Sequence, residues 1–122
     1  MINYFTYDEF DSPLQDGSGQ LMDKGFLYML NSARHIAGVP FHITSGFRIE
    51  ADIERLEKAG YKVSKNSSHL KGLAADISCE DGLNRLKIVS ALIEAGFKRI
   101  GIAKTFIHCD TDPDKPNSIW TY

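Results

Sequence analysis

Two histidines and an aspartate have the residue types and the spacing of a metal site. His69 and Asp76 lie seven residues apart, and His108 follows in a second polar segment. Zinc binds imidazole nitrogens and carboxylate oxygens at about 2.0–2.2 Å, so these side chains would have to converge on one point. Three protein ligands with a fourth position left open are typical of hydrolytic zinc sites. The sequence therefore predicts that these three residues close on a single zinc ion.

The chain must fold back between His69 and Asp76 for this to happen. On one extended strand seven residues span roughly 23 Å and point the two side chains to opposite faces. On one helix the two residues stand about 10 Å apart along the axis. Gly72 lies between them, and glycine adopts backbone conformations that other residues resist. We predict a turn at Gly72, with His69 arriving from a loop.

Alternating side chains predict two neighbouring strands that carry the other two ligands. In residues 73–79 the odd positions are apolar and should face the core, which places Asp76 on the opposite face. In residues 105–110 the same rule turns His108 and Asp110 away from the core. Two such strands, side by side, would present Asp76 and His108 on a common face.

Three short motifs in the chain match a pattern known from one enzyme family. They are Ser45-Gly46-Phe47-Arg48, Ser67-x-His69-x-x-Gly72-x-Ala74-x-Asp76 and Phe106-Ile107-His108-x-Asp110. The pattern resembles the M15 zinc peptidases, which include D-Ala-D-Ala carboxypeptidases, dipeptidases and phage endolysins. The likeness extends over nearly the whole chain. It implies that His69, Asp76 and His108 are the zinc ligands, and that Arg48 binds a substrate carboxylate or carbonyl oxygen.

One position departs from the family pattern and changes the predicted catalytic residues. Several M15 members carry Glu or Asp as general base three residues before the last zinc histidine. The residue here is Thr105, which cannot take up a proton at neutral pH. We predict that Asp110, on the same face as His108, replaces it. Arg48 and Asp110 are then the predicted catalytic residues, and Arg48 and Ser67 the predicted substrate-binding residues, with Ser67 also hydrogen-bonding inside its loop.

The resemblance leaves three interpretations of the function. The favoured one is hydrolysis of peptidoglycan stem peptides at a bond that involves a D-amino acid, as a carboxypeptidase or as an endopeptidase. The segment Ile107-His108-Cys109 also resembles the hedgehog signalling domain, which shares the fold and the zinc site but acts as a receptor ligand. A zinc-bearing binding module without hydrolysis is therefore the second interpretation. The third is a globular protein whose histidines are structural.

Length and composition predict a single domain over residues 1–122, because a chain of 122 residues can enclose one hydrophobic core. A net charge of −2 without a basic stripe weighs against nucleic-acid binding. No apolar run approaches the roughly 20 residues of a membrane span, and the N-terminus lacks the pattern of a secretory signal. We expect a monomer that is made in the cytoplasm, encoded by a phage or prophage, and active on the cell wall after release.

The rest of the sequence predicts the elements that position the site. Helices are predicted over 23–37, 49–59 and 81–95, and strands over 41–44, 73–79, 97–102, 105–110 and 118–122. The predicted fold is α+β, a small and mainly antiparallel sheet with helices packed on one face and the zinc site on the other. The last helix carries a broad apolar face made of Leu83, Leu86, Ile88, Val89, Leu92 and Ile93.

Four side chains outside the motifs have predicted environments of their own. Cys79 and Cys109 fall on the core-facing side of their strands and are predicted to be buried, reduced thiols. His42 alternates with apolar neighbours and is predicted to lie at the surface. Trp120 is predicted in the core or at its rim, with a place in a substrate groove as the alternative.

Overall fold

This computed structural model describes residues 3–122, and residues 1–2 of the predicted domain lie outside it. The described residues contain five strands and three α-helices. The helices are α1 (Lys24–Ala37), α2 (Glu50–Lys58) and α3 (Gly82–Glu94). The strands are β1 (Ile43–Ser45), β2 (Ala74–Ser78), β3 (Arg99–Ile102), β4 (Phe106–Asp110) and β5 (Ser118–Thr121). Short 3₁₀ helices lie at Tyr7–Phe10, Ser18–Leu21 and Ser68–Lys71. The predicted α+β class is confirmed.

The strands form one sheet in the order β1-β2-β4-β3-β5. Every pair is antiparallel except β3 and β5, which run parallel. In the pairing of β2 with β4, Asp76 lies directly opposite His108. Side chains opposite each other in such a pair have Cβ atoms about 4.5–5.5 Å apart. The register of the sheet therefore brings two of the predicted ligands together.

The two faces of the sheet differ in chemistry. Ala75 and Ile77 of β2 and Ile107 and Cys109 of β4 are fully buried in a core shared with α1 and α3. Burying one isoleucine side chain contributes about 1.5–3 kcal/mol. A slip of one residue would move this whole set to the other face, so the hydrophobic pattern fixes the register strongly. Asp76 consequently faces away from the helices.

Helix α1 begins and ends where the sequence predicts. The side chain of Asp23 accepts a hydrogen bond from the Phe26 N–H at 2.8 Å and caps the first turn. At the other end Gly38 adopts a left-handed conformation with φ of 69°, which glycine tolerates best. Between these caps the apolar side of the helix is buried in the core.

The prediction of a broad apolar face on α3 is wrong, because the buried face of this helix is narrower. Only Ile88, Ala91 and Leu92 of this helix are buried. Leu83, Leu86 and Ile93 are exposed. The helix has apolar residues on more than one side, and it packs through a single narrow side into the core that it shares with α1. Hydrophobicity alone could not show which side that is.

The two cysteines are buried and form no disulfide, which confirms their predicted state. Cys109 pairs with Ala75 inside the sheet, whereas Cys79 follows the end of β2 and bonds through its N–H to the Thr105 carbonyl. Within residues 3–122, no helix combines the length and the apolar character that crossing a membrane requires.

The segment that carries His69, predicted as a loop, is the 3₁₀ helix Ser68–Lys71. It ends at Gly72, whose φ of 70° confirms the predicted turn. Asp112, after β4, holds this helix in place: it accepts hydrogen bonds from Ser68 Oγ at 2.7 Å and Lys71 Nζ at 3.0 Å. Burial opposes the ionisation of Asp112, but these bonds outweigh it and lower its pKa to about 2. The ionised carboxylate therefore joins two distant parts of the chain.

A second buried carboxylate, Asp52, fixes the start of α2 directly after Arg48. Its Oδ2 atom accepts hydrogen bonds from Ser12 Oγ at 2.6 Å and from the Ile49 N–H at 2.8 Å. These bonds tie the helix to the N-terminal segment. The backbone that follows Arg48 is thereby held in place.

We expect Asp52→Ala to lower the free energy of unfolding by about 2–3 kcal/mol, because it leaves a buried hydroxyl and a backbone N–H without their charged acceptor. Urea unfolding measures this change. Glu54→Ala, at an exposed position of the same helix, is the matched control and should stay within about 0.5 kcal/mol of the wild type. Equal stability of the two variants would contradict the anchoring role of Asp52.

The pKa of Asp112 predicts part of the acid sensitivity of the fold. Folding lowers this pKa from its ordinary value of 3.8 to about 2, so the stabilisation is complete above about pH 4 and is lost as the pH falls towards 2. We expect a loss of roughly 1–2 kcal/mol, less than the full shift implies, because solvent partly screens Lys71.

Urea unfolding of the wild type and of Asp112→Asn between pH 5 and pH 2 isolates this contribution from that of the other carboxylates. The two stability curves should converge as the pH falls. Curves that stay parallel would show that Asp112 is not ionised through these contacts.

Candidate metal centre

His69, Asp76 and His108 converge on one point, as the sequence predicted. Each offers one ligand atom, and these atoms all lie within 4.8 Å of one another. His69 Nε2 is 3.4 Å from Asp76 Oδ1, and His108 Nδ1 is 2.9 Å from the same oxygen. All three side chains are buried. One comes from the 3₁₀ helix Ser68–Lys71 and two from the paired strands β2 and β4.

Each imidazole is oriented by a hydrogen bond at the nitrogen that faces away from this point. His69 Nδ1 lies 2.7 Å from the Gly46 carbonyl oxygen, which can only accept a hydrogen bond. His108 Nε2 lies 2.7 Å from Asp110 Oδ2. Nδ1 of His69 and Nε2 of His108 are thus the N–H donors, which leaves a lone pair on the other nitrogen of each ring. The two lone pairs are directed at the same place.

The electrostatics of the centre favour a neutral His69 and an ionised Asp76. Burial lowers the pKa of His69 and outweighs the hydrogen bond and charge of Asp76, which favour protonation. For Asp76, burial opposes ionisation, but its close contacts with His108 and His69 outweigh it and hold the pKa of the carboxyl well below its usual range. A neutral imidazole and a carboxylate are the forms that bind metal ions.

His108 shows the opposite shift from His69. Burial opposes its protonation, but the hydrogen bonds to Asp110 and Asp76 outweigh that effect and raise its pKa. The same contact with His108 helps to lower the pKa of Asp110 against the effect of burial. A cation at the centre would therefore compete with a proton for His108 Nδ1.

The donor set fits a divalent metal ion. Two imidazole nitrogens and one carboxylate oxygen are among the ligands that zinc takes in proteins, and three protein ligands are typical of its catalytic sites. Two neutral rings and one anionic group give the centre a net charge of −1, which suits a dication. The centre also opens on a cleft, so a ligand that is not part of the protein can reach it.

Arg48 lies beside the centre, where the sequence placed it. Its Nη2 is 3.5 Å from Asp76 Oδ2, and its Nε donates to Ser45 Oγ at 3.0 Å. Its backbone N–H donates to the His69 carbonyl at 3.2 Å. Within residues 3–122 no partner is found for Nη1, and the side chain lines the cleft. Arg48 can therefore offer hydrogen-bond donors to a molecule bound next to the metal.

The cleft has a volume of about 760 Å³, within the range typical of ligand sites. Thr44 and Arg48 line one side, and Phe106, Trp120 and Tyr122 line the other. Segment 61–64, which has no regular secondary structure, forms part of the rim. The cleft is therefore large enough to hold a bound ligand.

Ser67 and Asp110, the two other predicted site residues, also line this cleft. Ser67 Oγ accepts a hydrogen bond from the His69 N–H at 3.2 Å, so its hydroxyl caps the helix that carries the ligand. Asp110 is only 1% exposed and contacts His108 and Arg99. Its predicted role as proton acceptor and the predicted contact of Ser67 with substrate stay predictions.

His42 is exposed, which confirms its predicted surface position, and Trp120 lies in the wall of the cleft, the alternative that the sequence left open. The sequence analysis assigned Gly46 no role beyond ending a strand, and it assigned no role to Arg99 or Gly101. A Cβ at Gly46 would lie 2.7 Å from Phe10 Cα, so only glycine brings this carbonyl to His69. A glycine inside a motif signals such a close approach.

Comparisons with known proteins agree with this geometry. The structure is similar to the crystal structure of Serratia marcescens L-Ala D-Glu endopeptidase ChiX, with a TM-score of 0.62 and 19% sequence identity, over 76% of this chain and 82% of that chain. At this identity the similarity shows a common fold. A search among curated proteins gave no match. Residues 3–110 match the family described as Peptidase M15, and this range contains all three ligands and Arg48. The chain therefore belongs to the Peptidase M15 family.

Proposed function

We propose that this M15 peptidase is a zinc enzyme that hydrolyses peptidoglycan stem peptides at a bond involving a D-amino acid. The observation that carries the proposal is the convergence of His69, Asp76 and His108 at the floor of an open cleft, with Arg48 beside them. The fold shared with an L-Ala D-Glu endopeptidase supports the cell-wall substrate. The predicted origin from a phage or prophage and the predicted release to the cell wall stay predictions.

Zinc bound by these residues would supply a Lewis acid and a water molecule of lowered pKa. The protein residues do the rest. Arg48 lines the cleft, and its Nη1 has no partner among residues 3–122, so it can bind the carbonyl oxygen of the scissile bond, where negative charge develops, or a nearby carboxylate. Gly46 and Asp110 hold the two imidazole rings, so the ligands need no rearrangement when substrate binds.

The charges along the cleft suit an acidic peptide. Arg48 and Lys62 both line it, and the two carboxylates that line it, Asp76 and Asp110, are already hydrogen-bonded to histidines. The charged side chains that can still bind a substrate are therefore cationic. Stem peptides carry carboxylates at D-Glu and at their C-terminus, so their charge is complementary to that of the cleft.

Digestion of purified muropeptides, with the products identified by mass spectrometry, tests the proposal. We expect cleavage that a chelator abolishes and added zinc restores, and that His69→Ala removes together with the metal. His42→Ala, which removes an exposed histidine, is the matched control and should keep both. Release of D-Ala would indicate carboxypeptidase action, whereas a new D-Glu amino terminus would indicate the bond cut by the endopeptidase of similar fold.

Two results would contradict the proposal in different ways. Protein that holds zinc but cuts no stem peptide would be a binding module, as in the second interpretation of the sequence. Protein that holds no zinc would show that the histidines are structural.

We expect Arg48→Ala to lower kcat/KM by about 10²–10³-fold while the zinc content stays the same, because it removes a donor that acts on developing charge and not a ligand. Arg48→Lys should recover only part of the loss, since an ammonium cannot bind with the planar fork of a guanidinium. Arg34→Ala in α1, on the other face of the sheet, is the control. Wild-type kcat/KM in Arg48→Ala would exclude this residue from the mechanism.

A further inference from the structure

Both oxygens of the Asp110 carboxylate are already engaged in hydrogen bonds. Oδ2 is 2.7 Å from His108 Nε2. Oδ1 accepts hydrogen bonds from Arg99 Nε at 2.7 Å and from the Asp112 N–H at 3.1 Å. A general base must come within hydrogen-bond reach of the proton that it takes up. Asp110 contacts His108 at Nε2, the ring nitrogen that faces away from the metal centre, so the carboxylate lies on the far side of the ring from that centre.

Arg99 is fixed as firmly as the carboxylate that it binds. Its guanidinium also donates a hydrogen bond to the Pro116 carbonyl and lies 4.8 Å from the centre of the Trp120 ring. Its side chain is 13% exposed. These contacts join β3 to the segment that leads into β5, so the Arg99–Asp110 ion pair has little freedom to change its geometry.

Trp120 packs beside the ring of His108. The centres of the two rings are 5.5 Å apart. In the sheet Gly101 pairs with His108 on one side and with Trp120 on the other. A Cβ at Gly101 would lie 2.7 Å from the indole ring, so the indole occupies the space that any other side chain would fill. The glycine is therefore required for the indole to lie against His108.

We propose that Asp110, Arg99 and Trp120 are positioning residues, which hold the ring of His108 with Nδ1 directed at the metal. Asp110 fixes the tautomer and strengthens His108 as a ligand by accepting its N–H. Arg99 orients the carboxylate and balances its charge, and Trp120 limits access of water to this hydrogen bond. The inference rests on the proposed zinc centre, but it replaces the role of proton acceptor that the sequence suggested for Asp110.

The two roles of Asp110 predict different measurements. A proton acceptor acts on the reaction, so its loss lowers turnover and leaves metal binding unchanged. A positioning residue acts on the ligand, so its loss weakens metal binding whether or not a substrate is present. Zinc affinity of the purified protein, measured by competition with a chromogenic chelator, separates the two roles without any activity assay.

We expect Asp110→Asn to weaken zinc binding about 10–100-fold, the range found when partners of metal-bound histidines are removed. Arg99→Lys, a milder change that keeps a cation, should weaken it less, and the visible absorption spectrum of the cobalt-substituted protein should change in both variants. Asp81→Asn removes a carboxylate that caps α3 and does not contact His108; it is the control and should stay within about twofold of the wild type.

Wild-type zinc affinity in Asp110→Asn, together with lowered turnover, would overturn the inference and restore Asp110 as the proton acceptor. Zinc affinity lowered equally by Asp110→Asn and Asp81→Asn would overturn it as well, because the effect would then be a general loss of structure. Failure of the proposed function looks different. Wild-type protein that binds no zinc, or that binds zinc and cuts no stem peptide, would remove that function before any variant is compared.

Discussion

The pairing of β2 with β4 is the constraint on which the site depends. Because Asp76 stands opposite His108 in this pairing, two candidate ligands are placed by backbone hydrogen bonds and not by flexible loops. The same alternation buries Ile77 and Ile107 on the other face. The hydrophobic core and the metal centre thus specify the same register, and neither can be shifted without loss of the other.

Around this pair, the fold provides each functional side chain with a rigid partner. The Gly46 carbonyl orients His69, and Asp110 orients His108. Asp112 holds the helix that carries His69, while Asp52 holds the backbone next to Arg48. Buried polar groups are tolerated in proteins when they are hydrogen-bonded, and each of these groups makes at least one hydrogen bond that supports the site.

The convergence of the three candidate ligands could be predicted from the sequence because their placement depends on local rules. Alternation in a strand sets the faces of Asp76 and His108, and Gly72 permits the turn between His69 and Asp76. The role of Arg99 was not predicted, because an arginine in a sequence usually indicates a solvated charge. Its contact with Asp110 requires the antiparallel register of β3 with β4, which no local pattern encodes.

The parallel pairing of β3 with β5 escaped prediction for a related reason. It joins Gly101 to Trp120 across 19 residues of sequence, and the position of an edge strand depends on contacts that form only in the folded sheet. A glycine between two isoleucines in a strand was the available signal, since it often marks the close approach of another group. The exposed side of α3 likewise follows from packing, because its apolar residues alone allowed more than one orientation.

The rim segment 61–64 differs in kind from the rest of the cleft, since it belongs to neither the sheet nor a helix. Loops of this sort accept insertions and deletions, whereas one added residue in β2 or β4 would turn a ligand into the core. Over evolutionary time, the range of peptides accepted by such an enzyme can therefore diversify through the length and sequence of this rim, while the catalytic centre stays the same.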